Sequence, residues 1–182
     1  PISMKKLLLI FPLIALLFAA CNDDENDIDK YTEWMELNDE WVTAQGELRN
    51  PDNSAYYKKL TPEWNTNAYV LIHYFNDRKL TEGNLSPLYN STVAVKYAGR
   101  LYDDTPFDSS YKLTDSLYIS QLSDNIKGWW IALSDMRVGD SAVVVIPASQ
   151  GYGSQSTGII PPFSALRFNI KLVDIPYYQE KP

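Results

Sequence analysis

The sequence predicts an α+β domain, in which several antiparallel strands form a curved sheet packed on one short helix. Two observations support this fold class. After residue 67, segments rich in β-branched and aromatic residues recur, separated by turn-forming Gly, Pro, Asn and Asp. Only one segment in that part of the chain spaces its apolar residues with the period of a helix.

The strands are predicted first. They are AYVLIHYF (68–75), STVAVKYAGRL (91–101), SAVVVIP (141–147) and ALRFNIKLVDI (165–175). The last segment alternates apolar and polar residues most strictly, and its apolar face carries Leu166, Phe168, Ile170 and Leu172. Because successive side chains of a strand point to opposite faces of the sheet, we expect this face to be buried.

The short helix is predicted over NIKGWWIALSDM (125–136). Its apolar residues Ile126, Trp129, Trp130 and Leu133 stand at positions i, i+3, i+4 and i+7, which lie on one face of a helix. We expect the helix to end before Val138-Gly139-Asp140, where the glycine favours a turn.

A longer amphipathic helix of about five turns is predicted from Ile28 to Leu48. Its apolar residues recur at three- and four-residue spacing, and they are Ile28, Tyr31, Trp34, Leu37, Trp41, Ala44 and Leu48, with Met35 and Val42 widening the face. We expect this face to pack on its own domain, since a helix of this length buries little area for a stable dimer. Dimerisation through the helix is the alternative.

The first 20 residues resemble a secretory signal peptide. Lys5 and Lys6 precede an apolar run (7–18) that is short for a membrane-spanning helix, and Ala19-Ala20 supply small residues before Cys21. Met4 is the expected start of translation, which leaves residues 1–3 upstream. An uncleaved N-terminal anchor helix is the less favoured alternative.

Cys21 is the only cysteine, so it cannot form an intramolecular disulfide. The preceding residues complete FAAC, which resembles the lipobox of bacterial lipoproteins and implies a palmitate-bearing anchor on Cys21. The acidic run NDDEND (22–27) resembles the surface-export signal of Bacteroidetes-type lipoproteins, or else is a solvated tether. We therefore expect a lipid-anchored protein of the cell envelope, at the outer membrane, facing the periplasm or the cell surface.

The charge and the reactive residues restrict the possible functions. Without residues 1–20, 14 basic and 23 acidic residues remain, a net charge of −9, which argues against a nucleic-acid ligand. The only histidine, His73, lies in a strand pattern, so we expect a sheet residue rather than a base. One histidine and one cysteine do not suffice for a zinc cluster, and the sequence predicts no metal or cofactor.

Four motifs carry a family resemblance. They are VAVKYAGRL (93–101), FDSS (107–110), NIKGWWIALSDMRVGD (125–140) and GYGSQSTGIIPPFSALRFNIKLVDI (151–175). In this order and spacing they closely resemble the FKBP-type peptidyl-prolyl cis-trans isomerases, over about residues 88–175. The resemblance implies an FKBP-like curved antiparallel sheet wrapped around a short helix.

The N-terminal signals and the family resemblance together imply a division of the chain. The expected parts are a lipoprotein signal peptide (1–20), an acidic tether after the lipidated cysteine (21–28), a helical extension (29–66) and an isomerase domain (67–176, core 88–175). The implied activity is isomerisation of Xaa-Pro bonds in exported proteins. The implied partners are proline-containing polypeptides and tacrolimus-type macrolides, and we expect a monomer.

Carried over by position, the resemblance places eight residues around the active-site cavity. They are Tyr97, Phe107, Asp108, Ile126, Trp129, Tyr152, Ile160 and Phe168. It implies that Trp129 forms the floor beneath the proline ring. The Ile126 backbone N–H and the Tyr152 hydroxyl would donate hydrogen bonds to substrate carbonyls, and Asp108 would orient polar groups at the edge.

Some positions depart from the family pattern. Asn125 replaces a usual apolar residue, Trp130 a common acidic one, and Phe163 stands where some relatives have histidine. The aromatic residue expected on the strand within DSLYISQLSDN (115–125) has three candidate positions, Ser116, Leu117 or Tyr118. These departures leave an alternative function open, an FKBP-like module that binds proline-containing segments or a partner protein without useful turnover.

Overall fold

The computed structural model describes residues 24–179, with side chains from Lys30 onward. The predicted signal peptide, Cys21 and the start of the acidic run lie outside the described residues. The chain divides into two compact units, Pro1–Lys30 and Tyr31–Pro182, and every side-chain contact reported below lies within the second. Within the described part, no helix has both the length and the apolar character needed to cross a membrane.

One antiparallel sheet of seven strands dominates the described chain. In chain order the strands are β1 (Lys58–Leu60), β2 (Val70–Tyr74), β3 (Thr92–Leu101), β4 (Pro106–Ser109), β5 (Tyr118–Gln121), β6 (Ser141–Ile146) and β7 (Leu166–Tyr177). Their spatial order is β1-β2-β6-β7-β3-β4, and β5 also pairs with β3. The predicted α+β class, with a curved antiparallel sheet and a short helix, is confirmed.

Strand β3 organises the half of the sheet that carries the site. One of its edges pairs with β7 along the whole of Thr92–Leu101. The other edge is shared by two short strands, because β5 pairs with the first part of β3 and β4 with the last part. A register shift between Gly99 and Arg100 marks a bulge in the pairing with β4.

The short helix α2 (Lys127–Asp135) packs on one face of this sheet and shares its core with β2, β3, β6 and β7. The predicted buried face of β7 is confirmed, since Leu166, Phe168, Ile170 and Leu172 are all buried. Helix and sheet approach closely at Gly128, where a Cβ atom would lie only 2.4 Å from Cγ2 of Ile146. A side chain at this position would push α2 away from β6.

The N-terminal helix α1 runs from Asp24 to Glu47 and so begins four residues before the predicted start, inside the expected tether. The acidic run at its start explains the extension, because the helix dipole favours negative charge in the first turn. From residue 31 onward α1 packs on its own domain, as expected. Its buried face differs from the predicted stripe, since Leu37 is 39% exposed whereas Asn38 is 1% and Val42 4% exposed.

This rotation of the helix has a physical reason, which is that Asn38 is buried with both ends of its amide hydrogen-bonded. Val42 packs into a second core on the sheet face opposite α2. We call it the outer-face cluster, and its buried members are Val42, Tyr57, Leu71, Val143, Val145 and Ala165.

The segment 29–66, expected as a helical extension, contains most of α1, a turn and a short strand. The helix ends at Glu47, the chain reverses through a turn bridged between Arg49 and Ala55, and β1 then pairs with β2. Strands β1 and β4 were not predicted. Each has only three or four residues, too few for an alternating pattern to be recognised in the sequence.

Candidate active site

A cavity of about 510 Å³ opens beside the N-terminal end of α2. All eight residues predicted for the site line it, namely Tyr97, Phe107, Asp108, Ile126, Trp129, Tyr152, Ile160 and Phe168. They come from β3, β4, the start of α2, β7 and the loop between β6 and β7. The structure therefore brings the predicted residues together, while their catalytic roles stay predictions.

The inner wall of the cavity consists of aromatic rings in edge-to-face contact. Trp129, which is 5% exposed, lies 5.1 Å from Tyr97 and 5.4 Å from Phe168 between ring centroids, with interplanar angles of 81° in both pairs. Phe107 also meets Phe168 edge-to-face, at 5.4 Å between ring centroids. Such contacts fix each ring and make the wall rigid and apolar.

Gly99 leaves the room that two of these rings need. A Cβ atom at this position of β3 would lie 2.5 Å from the Phe107 ring and 2.9 Å from the Phe168 ring. The glycine in the VKYAG motif therefore allows strands β4 and β7 to bring their phenylalanines together across β3.

Tyr97 and Asp108 form the polar edge of the cavity. The Tyr97 hydroxyl donates to Oδ2 of Asp108 at 2.5 Å, and Oδ1 of Asp108 accepts from the Ser109 backbone N–H at 2.8 Å. Burial, followed by the hydrogen bond to Asp108 and its negative charge, raises the pKa of the Tyr97 hydroxyl. Tyr97 is therefore neutral at physiological pH and its proton points to Asp108.

Tyr152 brings a second hydroxyl to the cavity. It follows a 3₁₀ helix (Ala148–Gln150), and Gly153 behind it has a φ of +60°, a conformation that favours glycine. Burial, followed by the negative charge of Asp108, raises the pKa of the Tyr152 hydroxyl. The described residues offer this hydroxyl no acceptor, so it is a neutral donor available to a ligand.

The start of α2 supplies further donors. The carbonyl of Ile126 accepts from the N–H of Trp129 at 2.9 Å, so Ile126 stands at the N-terminus of the helix. Backbone N–H groups at this end of a helix lack intrahelical acceptors. The indole Nε1 of Trp129 is also buried without a partner among the described residues.

Two departures from the family pattern acquire structural roles. Of the three candidates for the aromatic position on β5, it is Tyr118 that lines the cavity, with its ring 5.7 Å from Tyr97 and 6.1 Å from Trp129. The Asn125 side chain donates to Ser120 Oγ at 3.0 Å and to the carbonyl of Gln121 at 2.8 Å. The polar residue at this position thus fixes the connection between β5 and α2.

The other two departures lie away from the lining. The Trp130 ring meets Tyr89 edge-to-face at 4.9 Å, and Phe163 adopts a φ of +60° in the loop before β7. His73 lies on β2, outside the cavity, stacked on Tyr56 at 3.9 Å with Nδ1 at 2.7 Å from the Tyr56 carbonyl. The prediction of a sheet residue is therefore confirmed for His73.

Four lining residues had no signal as members of a site in the sequence. They are Asp124, Thr157, Gly158 and Ile159. Asp124 ends a 3₁₀ helix before α2, and the other three form the rim in the loop that the motif GYGSQSTGIIPP spans. Their neighbours in the motifs could have indicated them, but only the folded loop shows that they face the cavity. Among the described residues, no group of three or more His, Cys, Asp and Glu could hold a metal ion.

Comparison with known proteins agrees with this geometry. Residues 84–173 match the family model described as FKBP-type peptidyl-prolyl cis-trans isomerase. The chain is 39% identical over 97 residues to the isomerase FkpA of Buchnera aphidicola, and 40% identical over 91 residues to the isomerase Mip of Coxiella burnetii. These matches cover 53% and 50% of this chain but only 38% and 39% of the relatives, so the chain spans well under two thirds of their length.

A solved structure extends the likeness to the fold. The crystal structure of a peptidyl-prolyl cis-trans isomerase from Pseudomonas syringae superposes with a TM-score of 0.63 at 26% identity, covering 80% of this chain and 95% of the other. The family match, the sequence relatives and the fold all point to the same part of the chain. Residues 84–173 therefore form a domain of the FKBP-type peptidyl-prolyl cis-trans isomerase family.

Proposed function

We propose that the whole chain is a peptidyl-prolyl cis-trans isomerase that acts on Xaa-Pro bonds in the cavity beside α2. The observation that supports this best is the cavity itself. It is walled by rings in fixed contact, and its remaining polar groups include a neutral Tyr152 hydroxyl and the N-terminus of α2. Such a surface suits an apolar ring flanked by two peptide carbonyls.

The reaction needs no bond cleavage. Rotation about the Xaa-Pro bond loses amide resonance, a barrier of about 18 to 20 kcal/mol, and the uncatalysed step takes tens of seconds or more. The twisted amide separates less charge than the planar one, so water stabilises it less. An apolar cavity that excludes water therefore favours the twisted amide relative to the planar one.

The residues of the cavity divide this work between them. Trp129 carries the proline ring, and Phe168 and Tyr97 hold the indole in place by edge contacts. The Ile126 N–H and the Tyr152 hydroxyl donate to the carbonyls on either side of the rotating bond. Because neither donor has to gain or lose a proton, the reaction needs no general acid or base.

The location of the protein is also a proposal. The charged and apolar residues before FAAC support cleavage after residue 20 and lipidation of Cys21, which would attach the isomerase to the cell envelope. Its substrates would then be exported proteins, and tacrolimus-type macrolides would compete for the cavity. Mass spectrometry of the native protein tests the anchor, since an unmodified Cys21 or an intact N-terminus contradicts it.

The activity is tested with a form that begins after Cys21 and so lacks the signal peptide. Cis-to-trans relaxation of an Xaa-Pro peptide is followed with and without the protein, and peptide binding is measured in parallel by tryptophan fluorescence. Acceleration at substoichiometric protein supports the isomerase. Binding without acceleration by a correctly folded protein would replace it with the non-catalytic proline-binding module.

A further inference from the structure

We infer that α1 is a brace for the active site. Its residues Trp34 and Asn38, neither of which lines the cavity, position the wall segment, residues 157–165, of which residues 157–160 line the cavity. The inference rests on the proposed isomerase activity. It assigns a role in the reaction to the N-terminal helix, which precedes the family domain at residues 84–173.

Asn38 makes the first contact between α1 and this wall. Its Oδ1 accepts from the backbone N–H of Ala165 at 2.8 Å, and its Nδ2 donates to the carbonyl of Trp34 at 2.7 Å. Asn38 is 1% exposed, so both ends of the amide depend on these partners. Ala165 is the residue just before β7, the strand that carries Phe168 into the cavity.

Trp34 makes the second contact. Its indole Nε1 donates to Oγ of Ser164 at 3.2 Å, and Ser164 Oγ in turn donates to the carbonyl of Pro161 at 2.7 Å. A hydroxyl has one proton, so accepting from the indole leaves that proton directed at Pro161. The Trp34 ring is itself held by an edge contact with Tyr102 at 5.1 Å between centroids.

The wall needs such support because its own backbone provides little. Pro161 and Pro162 have no N–H to donate, and Phe163 holds a φ of +60°, which is unfavourable for a residue other than glycine. Inside the loop, Ile160 and Thr157 exchange backbone hydrogen bonds of 2.9 and 3.0 Å. Among the described residues, the Pro161 carbonyl accepts from Ser164 Oγ alone, and Ser164 Oγ in turn accepts from Trp34.

A displacement at Ser164 and Ala165 would reach two residues of the cavity. Ile160, 4% exposed in the cavity wall, adjoins Pro161 directly. Tyr152 is reached through the loop, because the N–H of Phe163 donates to the carbonyl of Gly153 at 2.7 Å. The brace therefore affects the positions of both Ile160, an apolar lining residue, and Tyr152, the proposed hydroxyl donor.

The same helix supplies a matched control. Val42 is 4% exposed and packs into the outer-face cluster, whose members do not line the cavity. Ala165 belongs to the same cluster, but loss of Val42 side-chain atoms weakens the attachment of α1 without removing a hydrogen bond to Ser164 or Ala165. A general loosening of α1 can thus be separated from loss of the brace.

The experiment compares three variants of the chain: Asn38→Leu, Trp34→Phe and the control Val42→Ala. Isomerase kcat/KM and hydrogen exchange of the segment 157–165 are measured on each. We expect Asn38→Leu to lower kcat/KM about three- to tenfold, the effect of one lost hydrogen bond, and to speed exchange in this segment. Trp34→Phe, which keeps a ring against Tyr102 and loses the donor, should have the same effects to a smaller extent.

Val42→Ala should leave both kcat/KM and exchange of this segment within about twofold of wild type. Asn38→Asp, which keeps an oxygen to accept from Ala165, should recover part of the activity lost in Asn38→Leu. If Asn38→Leu does not fold, Trp34→Phe is compared with the control Val42→Ala instead. Hydrogen exchange tests the brace even if the wild type proves to have no isomerase activity. Such a result would refute the proposed function and leave the brace to be judged by hydrogen exchange. Equal effects of Trp34→Phe and Val42→Ala on both measurements would overturn the brace.

Discussion

A tyrosine hydroxyl donates to an aspartate at each end of α2, but the two pairs have different surroundings. At the N-terminal end, the Tyr97 hydroxyl donates to Asp108 at 2.5 Å, and at the C-terminal end the Tyr74 hydroxyl donates to Asp135 at 2.6 Å. Burial, reinforced by the carboxylate, raises the pKa of both tyrosines. The difference lies in what surrounds each pair.

At the C-terminal end the polar groups satisfy one another. Arg78 donates to the carbonyl of Asp135 at 2.6 Å and to Asp140 at 3.2 Å, with its guanidinium 4.2 Å from the centroid of the Tyr74 ring. The fully buried Asp140 side chain also accepts from Thr81 Oγ1 at 2.6 Å, from Asn76 Nδ2 at 3.0 Å and from the N–H of Arg137 at 2.9 Å. The donors and acceptors of this network satisfy one another, and none of its residues lines the active-site cavity.

At the N-terminal end the polar groups remain open to a ligand. Trp129 Nε1 is buried without a partner among the described residues. The hydroxyl of Tyr152, which lines the cavity, donates to none of the described residues. Trp130 and Gln150 also have a buried atom without a partner in that part of the chain, but neither residue lines the cavity. An unmade buried hydrogen bond costs about 1 to 3 kcal/mol, so a ligand that offers an acceptor to Trp129 Nε1 or to the Tyr152 hydroxyl would gain binding energy.

Phe168→Ala should have the largest effect, because Phe168 belongs to the cavity and to the core. We expect a loss of about 3 to 5 kcal/mol in the free energy of unfolding, and a fall in kcat/KM on the order of 100-fold as water enters the site. Urea denaturation and the isomerase assay measure the two effects. The control is Ile170→Ala, two residues along β7, which is buried outside the cavity and should destabilise without lowering kcat/KM.

Asp140→Ala should destabilise the protein almost as much while leaving the chemistry intact. It removes the acceptor of four hydrogen bonds and leaves Arg78 without one of its carboxylates, at a cost of about 3 kcal/mol. In the folded protein, kcat/KM should stay within about twofold of wild type. A large loss of activity at unchanged folding would mean that the two ends of α2 are coupled.

Acid should destabilise the protein through the carboxylates of the closed network. Burial alone would raise the pKa of Asp140, but hydrogen bonds from Thr81, the Arg137 N–H and Asn76 outweigh it and lower the pKa. Hydrogen bonds from Tyr74 and Lys58 likewise lower the pKa of Asp135 against the effect of its burial. A lowered folded-state pKa contributes stability that is present above the unfolded value of about 3.9 and is lost as pH falls through the folded value.

The free energy of unfolding should therefore be nearly constant from about pH 7 to pH 5 and should fall below about pH 4. Urea titrations at each pH provide the measurement. In Asp140→Asn the fall should be shallower, because one of the two carboxylates no longer takes up a proton. An equally steep fall in that variant would place the acid-sensitive groups outside this network.

The same comparison shows what the sequence could predict. Alternation in ALRFNIKLVDI predicted the buried face of β7, and apolar spacing predicted α2, because both patterns follow from local geometry. The cavity lining was predicted from the family resemblance. Apolar periodicity indicates which face of one helix or strand is buried, but it does not indicate which distant residues meet. All eight residues carried over by that resemblance do line the cavity.

The features that the sequence concealed depend on distant pairs. Asp140 joins residues 59 to 64 positions away, and Asn38 meets Ala165 across 127 positions. A polar residue in the middle of a helix predicts an exposed face, and only its two partners explain why Asn38 is buried in place of Leu37. Tyr118 was one of three candidates for the aromatic position on β5. The sequence did not decide between them, because a shift of β5 by one residue turns each of its side chains to the opposite face of the sheet.

Tyr152→Phe tests the open end with a smaller change. The substitution keeps the ring and removes only the hydroxyl, so the free energy of unfolding should change little. One hydrogen bond to the substrate is worth about 0.5 to 1.5 kcal/mol, which corresponds to a fall in kcat/KM of a few-fold to about tenfold. Tyr74→Phe is the matched variant at the closed end, and it should lose stability and keep its activity. The opposite pattern would contradict the assignment of the two ends.

The smallest effect is expected from pH near neutrality and from His73. Both tyrosines of the cavity have a raised pKa, Tyr97 through burial and Asp108, and Tyr152 through burial and the charge of Asp108, so both stay neutral below about pH 10. Stability that depends on a neutral tyrosine is lost only as pH rises through its raised value. The profile of kcat/KM should therefore be flat between about pH 6 and pH 9.

The variant His73→Ala should show the same flat profile and the same kcat/KM as the wild type, since the His73 ring lies on β2 against Tyr56, outside the cavity. A bell-shaped profile in the wild type that becomes flat in His73→Ala would show that His73 acts as a titrating base. The mechanism would then be acid-base catalysis, and the desolvation mechanism would be wrong.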